Sequence, residues 1–494
     1  MINHLLDGKT VAVIGGGPVG LTMALLLEQK GVNVKLYERD VDLRSRITGG
    51  SLDLHQNTGQ SALKEAGILD EFYAASWSTS ERMGTIDGSI YAEELIEESR
   101  KKIKPEIDRN DLRALLCRHI GKDVIQWGRK LTLLELQKDK YVLHFEGGHS
   151  ETVDVVIGAN GGMSQLRAYV NNLIPQYSGT VLIQGDIESP PVQCPDFVKL
   201  CKDGNLMAIG EGHIISSHYV AGGGIVFEIS FRQPENEFKE KGIDFSNHDA
   251  VINLLNDTFV NWGSAYKQMY RAANKFRCLP MRYIPLDIPW NVHHNITLIG
   301  DAAHLMPPFA GIGVNIGLVD ALNLAENLTT GAFDSIDAAI ADYENKMMVY
   351  ARESLEVTLS AEINIHTNKS FDEILQSRNE WNDQIAGVET TQEAFNNNLI
   401  EFKKRIAGLP KFGKTLKFVL GEHIVFIDST NITNKITPED RQADCTVTIS
   451  PDNFNYLISG RLSTMEAFTN KKLTVAGDMQ VAMIVRDVFK VALV

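Results

Sequence analysis

The chain has 494 residues, with 63 acidic against 48 basic side chains for a formal charge of −15, and it is 44% hydrophobic and 22% charged. At about 150 residues per domain the length calls for two to four units, and the acid excess argues against nucleic acid or an anionic membrane surface as partner, whose phosphates it would repel. Met1–Lys9 makes no signal peptide, no apolar run reaches the roughly 20 residues that cross a bilayer, and Cys117, Cys194, Cys201, Cys278 and Cys445, scattered without a C-x-x-C pair, read as reduced thiols of a cytoplasmic chain.

Val11–Ile14 is the first predicted strand, apolar and β-branched, and it turns through Gly15, Gly17, Pro18 and Gly20 into the helical run LTMALLLEQK, which closes at Gly31. In such a strand, turn and helix the first glycine permits the tight turn, the second lets backbone approach a pyrophosphate, and the third lets helix and strand pack closely. The helix N-terminus adds unpaired N–H groups and a partial positive charge. A second strand, VNVKLYE, ends in Glu38 at the distance where a carboxylate accepts from a ribose hydroxyl. These residues predict a dinucleotide cradle and leave NAD and FAD open.

Beyond Arg39 lies a basic, glycine-rich loop with Arg44 and Arg46, then an amphipathic helix. Arg46 is either solvated or a phosphate partner through charge-assisted hydrogen bonds. In IDRNDLRALLCRHI, Asn110 or Asp111 is available as N-cap of a helix carrying Arg113, which is either plain surface or a second clamp on the cofactor. Short alternating strands fill Val124–Glu151, and VDVVIGANGGMSQLR then repeats the strand, small-residue turn and helix logic, with Ser164 and Arg167 opening the helix.

Residues from about 178 to 290 change character: strand-like GTVLIQGDI and GIVFEISFRQ flank a loop-rich stretch with His213, His218 and Tyr219, followed by a helical run near Ala250–Ala273. The two histidines stand at no metal-ligating spacing, so no metal site is predicted. The chain returns with NITLIGDAAHLMPPFAGIGVN: a strand ending at Gly300 and Asp301, a loop with Pro307 and Pro308, and the pair Gly311 and Gly313 leading into a long helix from about Asn315. Asp301 can cap a helix or bind polyol hydroxyls, and the helix aims its positive end over the loop.

GGGPVG with Glu38, then VIGANGGMSQLR, then IGDAAHLMPPFAGIGVN, in that order over about residues 8–370, resemble the group A flavoprotein monooxygenases, or aromatic hydroxylase family. The resemblance implies an α/β fold, a Rossmann-like FAD-binding domain with an inserted β-sheet substrate layer. It also implies tightly bound FAD, transient NAD(P)H, O2, and hydroxylation through a flavin C4a-hydroperoxide. GGGPVGLTMA, RITGGSLDLH, NDLR, ANGGMS and GDAAHLMPPFAG look especially like the tetracycline-inactivating flavin monooxygenases. By that likeness Glu38, Arg39, Arg46, Arg113 and Asp301 bind FAD, Gly15, Gly17, Pro18, Gly20, Gly313 and Asn315 surround it, and Gln184, Met207, Pro308, Phe309 and Gly311 lie near substrate.

Asn205 and Val226 stand where the tetracycline enzymes carry an arginine and a histidine, and Ile312 where they carry a glutamine. The expected substrate is therefore a lipophilic polycyclic, aromatic or enolic compound, with tetracycline a candidate on which weak or no resistance is expected. No catalytic side chain is predicted, because flavin and oxygen supply the oxidant while the protein positions substrate and excludes water. A non-oxygenating flavin reductase or oxidase, and a lipid carrier with a vestigial flavin fold, are the alternatives.

Asp334–His366 predicts a long helix and residues 367–390 a polar linker. From Thr391 onward, ADCTVTISPDNFNYLISGRLSTMEAF and KLTVAGDMQVAMIV resemble a sterol-carrier-protein domain of α+β class. Its apolar stripes, Phe454, Leu457 and Ile458, then Met479, Ala482 and Met483, are either ordinary core or the wall of a pocket for a hydrophobic ligand. The expected division is 1–177 with 279–332 for FAD, 178–278 for substrate, 333–366 as bridging helix, 367–390 as linker and 391–494 as the sterol-carrier-like domain.

Overall fold

The computed structural model describes residues 4–43, 45, 50–94, 101–202, 204–220, 222–288, 290, 293–367, 373, 392–421, 423–430, 434–458, 467, 472–478 and 481. The chain divides into two compact units, one of residues 1–96 and 105–381, the other of 97–104 and 382–494. Among the described residues no helix is long and apolar enough to cross a membrane.

The first unit grows from β1 (Thr10–Ile14), which pairs in parallel with β2 (Asn33–Tyr37) and β11 (Val155–Gly158). With β7 (Ile125–Gln126) and β17 (Ile296–Leu298) these make a five-stranded parallel sheet in the order β17-β11-β1-β2-β7. Val11–Val13 and Val155–Ile157 are wholly buried, as strands covered on both faces must be. Helix Pro18–Gln29 begins on a proline, whose missing N–H is harmless in a first turn. Helix Gly313–Thr329 crosses it so closely that a Cβ on Gly317 would lie 2.8 Å from Val19. The expected alternating segment forms a small antiparallel sheet of β8 (Leu131–Gln137), β9 (Lys140–Phe145) and β10 (Ser150–Val153).

The second sheet is seven-stranded, in the order β16-β12-β15-β14-β13-β4-β5. It contains β12 (Gln176–Ile187), β13 (Asn205–Gly210), β14 (His213–Tyr219), β15 (Ile225–Arg232) and β16 (Lys275–Tyr283). It also takes β4 (Glu81–Gly84) and β5 (Ile90–Glu94) from a stretch that the sequence assigns to the nucleotide domain. The parallel pairing of β4 with β13 joins segments far apart in the chain, and no local pattern announces such a pairing. One face of this sheet, with Ile183, Ile215, Phe227 and Ile229, joins a core with Val251, Leu255, Tyr266 and Met269 of helices His248–Thr258 and Ser264–Arg271. The opposite face, by the period of two along each strand, carries Gln184, Glu228, Ser216 and Met207, which are register partners across β12, β15, β14 and β13.

A short ribbon of β3 (Ser51–Asp53) and β6 (Glu106–Asp108) completes the strands of this unit. The helix after β6 is capped by Asp108, whose carboxylate accepts from Asn110 N–H at 2.7 Å, and not by Asn110 or Asp111. Both of those already lie inside the helix Arg109–His119.

Helix Ile336–Ile365 fills the expected long span, with Ser335 Oγ as N-cap. Its Tyr343 hydroxyl donates to Leu298 O of β17 at 3.0 Å, its Thr358 hydroxyl to Pro307 O at 2.8 Å, and Glu362 accepts from Ser178 of β12. One helix thus contacts both sheets.

The second unit has helix Gln392–Ala407, helix Pro451–Ile458 and five strands, β18 (Thr415–Leu420), β19 (His423–Asp428), β20 (Lys435–Thr437), β21 (Cys445–Ile449) and β22 (Leu473–Gly477). Their order is β20-β19-β18-β21-β22. Phe454, Leu457 and Ile458 are buried core, with the Phe454 ring 5.1 Å from Phe402. Met479, Ala482 and Met483 lie outside the described residues, as does nearly all of the expected linker 367–390.

Candidate functional site

The β1 turn shows which of its glycines the protein itself requires. A Cβ on Gly15 would stand 2.4 Å from Ala159 O, and one on Gly20 would stand 2.0 Å from Gly15 O. A Cβ on Gly17 would meet nothing within 4 Å. Leu21 N–H bonds Gly17 O at 2.9 Å, so the N–H groups ahead of it leave the end of the helix that begins at Pro18.

Glu38 is buried at the end of β2, where one carboxylate oxygen accepts from Gly16 N–H and the other from Asp40 N–H at 2.9 Å. Arg39 beside it is exposed, and Arg46 lies outside the described residues. Arg113 is completely buried: its Nε donates to Gly16 O at 2.9 Å and its Nη2 meets Asp40 at 3.2 Å, while Nη1 has no hydrogen-bond partner. A buried guanidinium nitrogen left unpaired is expensive. Together with the open side of Gly17 it fits a phosphate-bearing group such as FAD laid over the turn.

The second and third motifs lock together behind that turn. Arg167 is buried and donates to Ala302 O at 3.0 Å, Gly162 O at 2.7 Å and Asp301 O at 3.3 Å. Burial pulls its pKa down to about 10 against the attraction of Asp301. Asp301 itself is exposed as the first residue of the short helix Asp301–His304.

Asp320, wholly buried in helix Gly313–Thr329, accepts from Gly300 N–H and His304 Nε2, both at 2.7 Å, and from the Tyr350 hydroxyl. Burial drives His304 downward, but Asp320 outweighs it and holds the imidazole above its ordinary value. Sequence reasoning missed this joint. Asp320 sits among apolar residues in GLVDALNL, and that interruption was its only signal.

The loop over the cradle is a single 3-10 turn, Pro308–Ala310, closed by Gly311 at φ +67. Pro308 is exposed, and the Phe309 ring stands edge-on to His366 at 5.0 Å. The following helix begins at Gly313, two residues before the expected start, so the N–H groups of its first turn emerge beside this loop. Asn315 spends its side chain on the protein: Oδ1 accepts from His55 N–H at 2.8 Å and Nδ2 donates to Asp53 O at 3.0 Å.

Through Asp53 the loop reaches the polar sheet face. Ser51 Oγ and Asn205 Nδ2 donate to Glu106 at 2.7 and 2.8 Å, and Gln184 Nε2 and Ser216 Oγ donate to Glu228, each at 3.2 Å. Burial raises Glu106, and its two donors offset part of that rise. Gln184, Asn205, Met207 and Val226 thus share one face by strand alternation. His366, Nε2 against Ser230 Oγ at 2.9 Å, ties Phe309 to the same face. Glu106 and Glu228 were not singled out from sequence. The alternation in VFEISF marks Glu228 as opposite the core, but Glu106 meets Asn205 only through the fold.

The description "FAD binding domain" matches residues 9–196 and 290–355, just over half of the chain, and "SCP-2 sterol transfer family" matches 397–490. Monooxygenase asqM of Emericella nidulans is 27% identical over 415 residues, covering 70% of this chain and 93% of that protein. Salicylate hydroxylase of Pseudomonas putida is 26% identical over 349 residues, covering 65% and 77%. The crystal structure of tetracycline destructase Tet(55), 20% identical, superposes with a TM-score of 0.64 over 77% of this chain and 97% of that one, which is a likeness of fold. The chain belongs to the FAD-binding domain family of flavoprotein monooxygenases, and an SCP-2 sterol transfer domain follows it in the sequence.

Proposed function

We propose that the chain is an NAD(P)H-consuming monooxygenase that hydroxylates an electron-rich, lipophilic aromatic or enolic compound. The observation that carries this reading is the polar face of the seven-stranded sheet, linked through Asp53 and Asn315 to the loop between the cradle and helix Gly313–Thr329. Gly17, Arg113, Glu38 and Asp301 are the residues that would hold FAD, with the first turn of the Gly313 helix offering N–H groups to negative charge on its ring. The chemistry FAD supplies when bound is reduction by NAD(P)H and activation of O2. Phe309 and Pro308 on one side and Gln184 and Met207 on the other orient substrate and exclude water.

The purified chain should carry a flavin spectrum, substrate should accelerate NAD(P)H oxidation, and oxygen-18 from O2 should enter the product. Absence of label with continuing turnover would make the chain a reductase or oxidase. Tetracycline is a candidate substrate, supported by fold likeness and motif wording. Asn205 is engaged with Glu106 and Val226 is apolar, which lost charged contacts convert to about 10- to 100-fold weaker binding each. Little or no resistance is expected from an inhibitory-concentration assay. For the second unit we propose a hydrophobic ligand, testable by mass spectrometry of molecules that copurify.

A further inference from the structure

The inference rests on reading Phe309 as a wall of the substrate site. On the sheet face that carries Gln184 and Met207, the next row along the strands is made by the register partners Leu182, Ser230, Ile214 and Ile209. Three of these four are apolar, and the end of helix Ile336–Ile365 lies against them, where Ile365 packs with Met83, Ile209 and Ile214. Met83 and Met207 line a pocket of about 140 Å³. The helix end therefore reaches the residues that wall this pocket.

Ser230 is the hydroxyl in that row, and its partner is His366, the residue that caps the helix. The tautomer of His366 follows from its neighbours. Nδ1 stands 2.7 Å from Glu362 O, which can only accept, so Nδ1 carries the hydrogen and donates it. Nε2 is then bare, and it accepts from Ser230 Oγ at 2.9 Å. Burial pushes the imidazole pKa down to about 4, so the ring is neutral and keeps both bonds at neutral pH. With both nitrogens engaged the ring plane is fixed, and the Phe309 ring meets it edge-on at 5.0 Å.

Thr358, Glu362 and His366 recur every fourth residue and so share one face of the helix. Thr358 holds Pro307 O, Glu362 accepts from Ser178 of β12, and His366 joins Ser230 of β15 to the Phe309 ring. The loop thus leans on the helix end, which in turn is fastened to the sheet.

We propose that His366 is a positioning residue for the hydroxylation: fixed by Glu362 and Ser230, it sets the place of the Phe309 ring at the substrate site, where that ring excludes water from the flavin. Ser230 acts through it.

Hydrogen exchange read by mass spectrometry on the full-length, FAD-loaded protein follows the loop without any substrate. The reporter is the peptide containing Gly311, whose N–H bonds Pro308 O. Ser230→Ala removes one of the bonds that fix the ring and should speed exchange there by about 2- to 10-fold. His366→Leu also removes the ring contact and should speed it by at least about tenfold, while the peptide of the β1 turn stays as in the wild type. In the His366→Leu background Ser230→Ala should add nothing. The same cycle on His366→Phe, which keeps a ring but neither bond, serves where melting curves show His366→Leu unfolded. Loop exchange unchanged by Ser230→Ala, or an equal increment from Ser230→Ala with and without His366, would overturn the proposal.

The second readout is the shift of the bound flavin's visible absorption band on adding ethylene glycol, which reports solvent access to the ring. It should grow in Phe309→Ala and to a similar extent in His366→Leu. Growth in Phe309→Ala alone would sink the role of His366 and leave the functional reading standing. A wild-type shift in Phe309→Ala, with the exchange cycle as expected, would sink the reading of Phe309 as a site wall and leave His366 as the holder of the loop.

Discussion

Arg113 concentrates the argument for a cofactor in one side chain, since it fixes Gly16 and Asp40 and still has a buried nitrogen to offer. Arg113→Leu should raise the FAD dissociation constant by about 10- to 100-fold per lost charged hydrogen bond, measured by flavin fluorescence on titration. Glu344 gives a pH signature independent of the cofactor. Burial lifts its pKa from 4.5 to about 7, with Thr297 Oγ donating to it at 2.6 Å. Between those values the folded state holds a proton that the unfolded chain has released, so stability falls as pH rises through the window and the penalty is complete above it. Glu344→Gln should therefore match the wild type below about pH 4.5 and exceed it above about pH 7, by up to ~3 kcal/mol, in denaturant unfolding at both ends.

At the scale of elements, Asp320 joins the strand end at Gly300, the short helix at His304 and the long helix at Tyr350. Asp320→Asn keeps the volume but leaves too few acceptors, and it should destabilise the first unit by about 3–5 kcal/mol in urea unfolding, as removing one partner from a buried charged network does. The parts legible in the sequence are those whose signal is local. VAVIGGGPVG, GANGGMS and GDAAH each mark a strand end, a turn and a helix start within a few residues. Asp108 as cap, β4 and β5 in the second sheet, and the Glu106 pair with Asn205 depend on contacts between distant segments. Periodicity carries no information about which distant strand a segment will meet.

For the whole molecule, the two units have separate hydrophobic cores, one containing Ile183 and Phe227, the other Phe402 and Phe454. Calorimetry should resolve two unfolding transitions. Only that of the first unit should move upward with added FAD, by about 2.7 kcal/mol at a hundredfold excess over the dissociation constant. Equal movement of both would mean that they unfold as one.

Helix Ile336–Ile365 spans 30 residues, about 45 Å at 1.5 Å per residue. Along it Tyr343, Tyr350, Thr358 and Glu362 meet β17, Asp320, Pro307 and β12 in turn. It therefore works as a keyed shaft. One inserted residue near its middle would turn everything beyond by about 100°, taking the Pro307 and β12 contacts out of phase while leaving the cradle intact. Loops around the pocket can drift in length and composition during divergence, but the number of residues in this helix cannot.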